Sequence, residues 1–255
     1  MKIIACFKAV PDNDSIVVKP DRKLSVGGEY SAGQYDFNAI EAAAQLKAQI
    51  PDSTVLALTV CESDVGCTSK IKKAILSRGA DEFYSVCDAG LKGADAFYTA
   101  SVLKSAIEKM GGADLVICGE GSGDTYNQQT GIILGALMEV ATLNAVCGIE
   151  GGDGFCKVTR ALETENEEYE VSYPAVLSVT SDINTPRIAS LKEIMAAGKK
   201  PSTAWTYADV EAAPAAGSKT LSTLAPEQRD RKRDIVKGED DEAVAKFYDM
   251  IRKSL

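Results

Sequence analysis

The sequence predicts an α/β fold with a mostly parallel sheet and helices on both faces, and three observations carry that expectation. Short apolar, β-rich runs alternate with longer stretches of helical period. Glycines follow the helical stretches where a stop is needed, as at Gly79 and at Gly111-Gly112. A chain of 255 residues with 45% hydrophobic residues can bury a full core without metal or disulfide. In such a sheet ligands lie at the carboxyl ends of the strands.

Taken in order, residues 3–7 read as the first strand, 54–60 as the next, then 82–86, 114–118 and 175–179. Between them 36–49 places Ala39, Ile40, Ala43 and Leu46 on one helical face. Residues 68–77 do the same with Ile71, Ala74 and Ile75, and 94–110 with Phe97, Ala100, Leu103 and Ile107. Two inserts interrupt the rhythm as hairpins, 16–18 with 23–26 around Pro20-Asp21, and 155–160 with 168–171 around an acidic tip at 163–167. Residues 1–200 are expected to form the nucleotide-binding domain. Residues 201–255 read as an arm: an Ala, Ser, Thr and Pro-rich stretch, the charged run 229–234, and a helix over 240–254 with Ala243, Val244, Phe247 and Ile251 on one face. A free linker has no use for an apolar helix at its end, so the arm is expected to dock on a partner chain.

The most informative segment is 116–131, where an apolar strand runs into Gly119, Glu120, Gly121, Ser122, Gly123 and Asp124 and opens a helix carrying Ile132, Ile133, Leu134, Leu137 and Met138. Asn127, Gln128, Gln129 and Thr130 stand at that helix start. Free N–H groups, the positive end of the helix dipole and short polar side chains converge there, which suits a phosphate. The simpler reading is a tight strand-to-helix turn with Asp124 as its cap.

Composition removes other classes. Thirty-seven acidic against 28 basic residues give a net charge of −9, which disfavours nucleic acid as a ligand. No apolar run approaches the roughly 20 residues of a membrane span, no signal peptide is evident, and a cytoplasmic location without membrane insertion is expected. The seven cysteines show no CxxC pair and read as small core residues in a reducing compartment. With no histidine, Ser–His and Cys–His machinery is excluded, so no catalytic residue and no metal site is expected. Any redox chemistry falls to a bound cofactor.

Residues 172–195, from Ser172-Tyr173-Pro174 through Asn184-Thr185-Pro186-Arg187 to Ile194-Met195, resemble the signature of the β subunit of electron transfer flavoproteins. Other pieces agree in the family's order: Lys8-Ala9-Val10-Pro11-Asp12, the segment 34–43, the tract 76–81, and the glycine loop with Asp124 and Gln129-Thr130-Gly131. The wording of 34–43 and 119–131 is similar to the Fix-type branch, associated with nitrogen fixation and anaerobic acyl-CoA metabolism. The resemblance implies a Rossmann-like subunit of a heterodimer whose α subunit carries a redox-active FAD. It shuttles electrons between NADH or acyl-CoA dehydrogenases and an acceptor. The β site holds AMP in most members, and in electron-bifurcating members a second FAD that takes hydride from NADH.

Carried over by position, the nucleotide-binding residues are Cys6, Gly33, Gln34, Tyr35, Asp36, Val60 and the stretch from Gly119 to Gly123 with Asp124, Asn127, Gln128, Gln129 and Thr130. The chain departs from both common patterns at 123–130, so the choice between FAD and AMP stays open; the glycine-rich loop and the Fix-type wording favour FAD. The family's recognition loop maps to 184–194, with Leu191 as anchor for a partner dehydrogenase and Arg187 beside it. The rival reading is a stand-alone adenine-nucleotide enzyme or stress-type sensor with the same fold. The first needs a Ser-Gly-Gly-x-Asp-Ser loop after strand one, where this chain has Phe7-Lys8-Ala9-Val10-Pro11-Asp12, and the second has no need of the arm.

Overall fold

A computed structural model of the chain describes residues 1–211, 217–218, 220–227 and 233–252. Its elements, in chain order, are β1 (Lys2–Cys6), β2 (Ala9–Pro11), β3 (Ile16–Val18), β4 (Leu24–Val26), β5 (Tyr30–Ala32), α1 (Gln34–Gln49), β6 (Thr54–Cys61), α2 (Ser69–Leu76), β7 (Glu82–Cys87) and α3 (Ala96–Lys109). There follow β8 (Leu115–Gly119), α4 (Thr130–Met138), β9 (Ala141–Gly151), β10 (Phe155–Ala161), β11 (Asn166–Ser172), β12 (Ala175–Val179), α5 (Leu191–Ala197), β13 (Ser202–Trp205), α6 (Tyr207–Val210) and α7 (Asp241–Arg252).

Nine strands form one sheet in the order β11-β10-β9-β12-β8-β1-β6-β7-β13, parallel from β9 to β13, with β10 and β11 added antiparallel at one edge. The central strands β1, β8 and β12 are almost wholly buried, which is why they read as unbroken apolar runs rather than alternating ones. One face packs on α1 and α2 through Ile40, Leu46, Ile71 and Ile75. The other packs on α3 and α4 through Leu103, Ile107 and Leu134. From β1 the chain winds outward through β6 and β7, then crosses back to β8 on the other side of β1. The strand order therefore reverses between β1 and β8, which opens a crevice at their carboxyl ends.

Four details differ from the sequence reading. The 11-residue β9 was not expected, because Asn144, Gly148 and Glu150 break any apolar run; it joins the parallel sheet to the β10–β11 hairpin through a bulge at Ala145, whose φ is 55°. Phe97 is half exposed rather than on the packed face of α3, which is carried by Ala100, Leu103, Ala106 and Ile107. Asp124 does not cap α4: Gln129 holds the N-cap position and makes no side-chain capping bond, so residues 127–129 precede the helix.

The fourth concerns the domain boundary. Ser202–Trp205 pairs with β7 as the edge strand β13, Trp205 stacks on Tyr84, and Val210 is buried, so residues 202–210 belong to the main domain. The arm proper begins later. It crosses the start of α3, where the Ser218 N–H and hydroxyl donate to Asp95 at 3.0 and 2.9 Å, and then meets the β3–β4 hairpin through a Lys23–Leu224 bridge and an Arg22–Glu227 ion pair. Beyond it α7 leaves Val244, Phe247, Tyr248 and Ile251 exposed. Of the charged run 229–234, residues 229–232 lie outside the described residues, as do 253 and 254 of the expected terminal helix.

Candidate functional site

The β1–β8 crevice holds a cavity of about 310 Å³, within the range of small-ligand sites. Its floor is apolar, formed by Cys6, Cys118, Val60 and Leu103. The Cys6 thiol, hydrogen-bonded to Cys118 and buried, is held well above the usual thiol range and stays neutral. One wall is the loop after β8, contributing Gly119, Glu120, Gly121, Ser122, Thr125, Asn127, Gln128, Gln129 and Thr130; Phe7, Lys8 and Asp36 close the corner beside it.

Asp36 explains how the corner is held. It lies in the first turn of α1, is 6% exposed, and accepts the Lys8 N–H at 2.8 Å together with the Gly119 N–H. One carboxylate thus ties the chain leaving β1 to the chain leaving β8. Burial outweighs these donors and pushes its pKa up to about 7. The packing leaves no room for a side chain at 119, where a Cβ would stand 2.6 Å from Asp36 Oδ1 and 2.8 Å from Tyr35 Cβ. At 121 it would overlap the Tyr126 ring, which itself stacks on Tyr35 at 5.4 Å. These two glycines are required by close approach; around Gly123 the space is open.

The loop ends in two residues of opposite hand. Gln128 is left-handed (φ 56°) and Gln129 right-handed, an alternation that turns successive N–H groups to one side. The uncapped start of α4 adds its own donors to that side. Glu120 restrains the loop from the opposite direction, accepting from Gln128 Nε2 at 3.1 Å and Tyr126 Oη at 3.3 Å. Lys8 is the one cationic side chain among the described lining residues, and its Nζ pairs with Asp124 at 2.7 Å. Burial pushes the Asp124 carboxyl up, but Lys8, Ser122 and the Thr125 N–H outweigh it and hold it below its ordinary range.

Cys6, Asp36, Val60 and most of the glycine loop are thus brought together. Gly33, Gln34, Tyr35, Gly123 and Asp124 do not line the cavity; Tyr35 packs behind Gly119 and Tyr126, and Asp124 pairs with Lys8. The far wall was not foreseen: Gly93, Ala94, Asp95, Ala96 and Thr99 at the start of α3, with Ser218 and Thr220 of the arm across the mouth. Its only local signal was Gly93-Ala94-Asp95 ahead of a helix, with Asp95 capping α3 through the Tyr98 N–H.

The segment after β12 behaves differently. Asn38 Nδ2 donates to the Ser181 and Asn184 carbonyls at 3.2 and 2.8 Å, and Arg187 donates to Glu41 through Nε at 2.7 Å, Nη2 at 2.9 Å and its backbone N–H at 3.2 Å. Burial raises the Glu41 carboxyl, but the Arg187 bonds prevail and hold it below the ordinary value. The Arg187 guanidinium is thus engaged by Glu41 within the chain as a clamp, with its side chain 41% exposed. Past it, Ile188 is 93%, Leu191 75% and Met195 70% exposed.

Among the described residues no group of three acidic, cysteine or histidine side chains could hold a metal ion, and no helix is long and apolar enough to cross a membrane. A family model of the electron transfer flavoprotein domain matches residues 25–210, which takes in α1, the crevice loop, the segment after β12 and the edge strand β13. With the greater part of its length covered, this chain belongs to the electron transfer flavoprotein family.

Proposed function

We propose that the chain is the β-type subunit of a heterodimeric electron transfer flavoprotein, and that its crevice binds the adenosine-phosphate portion of AMP or FAD. The observation that supports this most is the coincidence, at the reversal of strand order, of an apolar floor with the backbone alternation at 128–130. Val60, Leu103 and Cys6 would take the adenine, and the backbone donors at Gln129 and Thr130, with Lys8 nearby, the phosphate. If the nucleotide is FAD, its isoalloxazine supplies the one- and two-electron chemistry. The chain's residues contribute binding, exclusion of water from the floor, and fixed geometry through Asp36.

Two features favour different ligands. The glycine-rich loop and its Fix-type wording favour FAD, as in a bifurcating carrier that oxidises NADH. The enclosed volume, at the low end for ligand sites, favours AMP; a dinucleotide would extend past Ser218 and Thr220. Acid extraction of the purified heterodimer followed by chromatography distinguishes them: two flavins and no AMP indicate bifurcation, one flavin and one AMP a simple carrier, and no adenine nucleotide beyond the α-subunit flavin overturns the proposed site.

The exposed face of α7 is proposed to hold the α subunit, and Leu191 to contact an acyl-CoA dehydrogenase or similar flavoenzyme. Removing residues 238–255 is expected to leave a folded chain that no longer co-purifies with α. Retained heterodimer would assign α7 to its own domain.

A further inference from the structure

On the sheet face opposite the crevice floor, three thiols meet at the carboxyl ends of β6 and β7. Cys61 and Cys87 are register partners on adjacent parallel strands, and their Sγ atoms lie 2.9 Å apart. Cys67, from the 3-10 turn Asp64–Cys67, packs against Cys87 and closes the group. All three are partly accessible. The turn comes this near only because residue 66 is glycine, since a Cβ there would stand 2.8 Å from Cys61 Sγ. Beneath the thiols, on the same face and again paired in register, lie Thr59 and Ser85, both fully buried; the Ser85 hydroxyl lies against the Cys87 thiol, and the Thr59 hydroxyl meets no hydrogen-bond partner among the described residues. A buried hydroxyl without a partner is costly in an apolar core, and the two hydroxyls give the niche a polar floor.

We infer that Cys61 and Cys87 form a reversible redox pair, a modification site separate from the nucleotide crevice, that closes to a disulfide when a low-molecular-weight disulfide is the oxidant. The two sulfurs have different roles. Cys61 is the attacking sulfur: with the adjacent Cys87 thiol, the N–H groups of Gly66 and Ser63 that bond it hold its pKa below the usual thiol value against burial. Cys87, against Cys61 and desolvated, is held well above it. The Cys61 thiolate attacks the small disulfide, forming a mixed disulfide and expelling one small thiolate, which takes up a proton. Cys87 then loses its proton to solvent and attacks Cys61 Sγ, forming the protein bridge and expelling the second small thiolate. Two electrons pass from the two cysteines to the oxidant, which leaves as two thiols.

The test incubates the full chain with glutathione buffers of increasing oxidised fraction, traps free thiols by alkylation and maps peptides by mass spectrometry. The expected result is loss of two thiols per chain, recovered on reduction, with a crosslinked pair of peptides carrying Cys61 and Cys87. Cys87→Ser should stop at a single glutathione adduct on Cys61, and Cys67→Ser should form the bridge as the parent does. Cys61 and Cys87 remaining alkylated across the range, or bridging scattered among other cysteines, would overturn the pair. An adduct that persists on Cys61 of the parent chain without bridging would do the same.

Discussion

Two neighbouring loops of this molecule begin side by side and do opposite things. β8 and β12 are adjacent parallel strands, and the Glu120 N–H still bonds the Val179 carbonyl as the two chains leave the sheet. The loop after β8 folds inward over a cavity and ends in an α4 start whose N-cap residue makes no side-chain capping bond. The loop after β12 is clamped from behind by Asn38 and Glu41 and turns outward. Its helix α5 closes its own first turn with a complete capping box: Ser190 Oγ accepts the Glu193 N–H, and the Glu193 carboxylate accepts the Ser190 N–H at 2.6 Å. One helix start has no side-chain cap and the other is self-satisfied beneath an exposed Leu191. The difference suits the first to a small ligand and the second to a protein surface.

The inward loop should break most severely. Gly119→Val drives a branched side chain into Asp36 and Tyr35 and is expected to cost about 1–3 kcal/mol of stability by overpacking as well as abolishing nucleotide retention. Gly123→Val, in open space, should leave both within about 0.5 kcal/mol of the parent. Thermal unfolding and nucleotide extraction on the two variants check this contrast.

Next comes the clamp behind the outward loop. Glu41→Ala removes the acceptor of three Arg187 donors. Because the Arg187 side chain is 41% exposed, the loss is expected near 1–3 kcal/mol rather than the larger cost of a fully buried pair. Electron-transfer rates with a dehydrogenase partner should fall with it, while nucleotide content stays unchanged.

A titration separates the two loops further. Asp36 serves only the inward loop, and its pKa is raised to about 7 by burial. The folded chain therefore holds a proton that the unfolded chain has released between the ordinary carboxylate range and pH 7. Its contribution to stability falls as pH rises through that window and is flat above it. Asp36→Asn lacks this titration, so the stability of the parent relative to the variant should decline from pH 5 to pH 8, as measured by denaturant unfolding. A pH-independent difference would show that the carboxylate is not held in its raised state.

The smallest effect on stability is expected at the outward tip. Leu191→Ala removes a side chain that is three-quarters exposed, so unfolding should shift by no more than about 0.5 kcal/mol, against about 2–5 kcal/mol for a core leucine. The electron-transfer rate with the partner should nevertheless drop.

Much of the inward region was legible in the sequence because its signals are local: an apolar run ending in glycines needs no distant residue to be recognised. The mostly parallel sheet follows from the same alternation of elements. What stayed hidden depends on pairing over long separations. Arg187 and Glu41 are 146 residues apart, so a clamp could not be told from a free cation. β13 is four residues long and becomes a strand only because β7 offers an edge. The Ser218 and Thr220 lip of the cavity lies in a stretch without periodicity that is fixed by Asp95. β9 carries its strand character in backbone pairing rather than apolar content.

The central expectation is that the inward loop is a nucleotide site and the outward loop is not. Isothermal titration with AMP, after removal of endogenous nucleotide, tests this on the parent chain, Gly121→Val and Leu191→Ala. One site per chain is predicted for the parent and Leu191→Ala, with affinity at least tenfold weaker, about 1.4 kcal/mol, in Gly121→Val. Equal binding by Gly121→Val, or no binding by the parent, would contradict it.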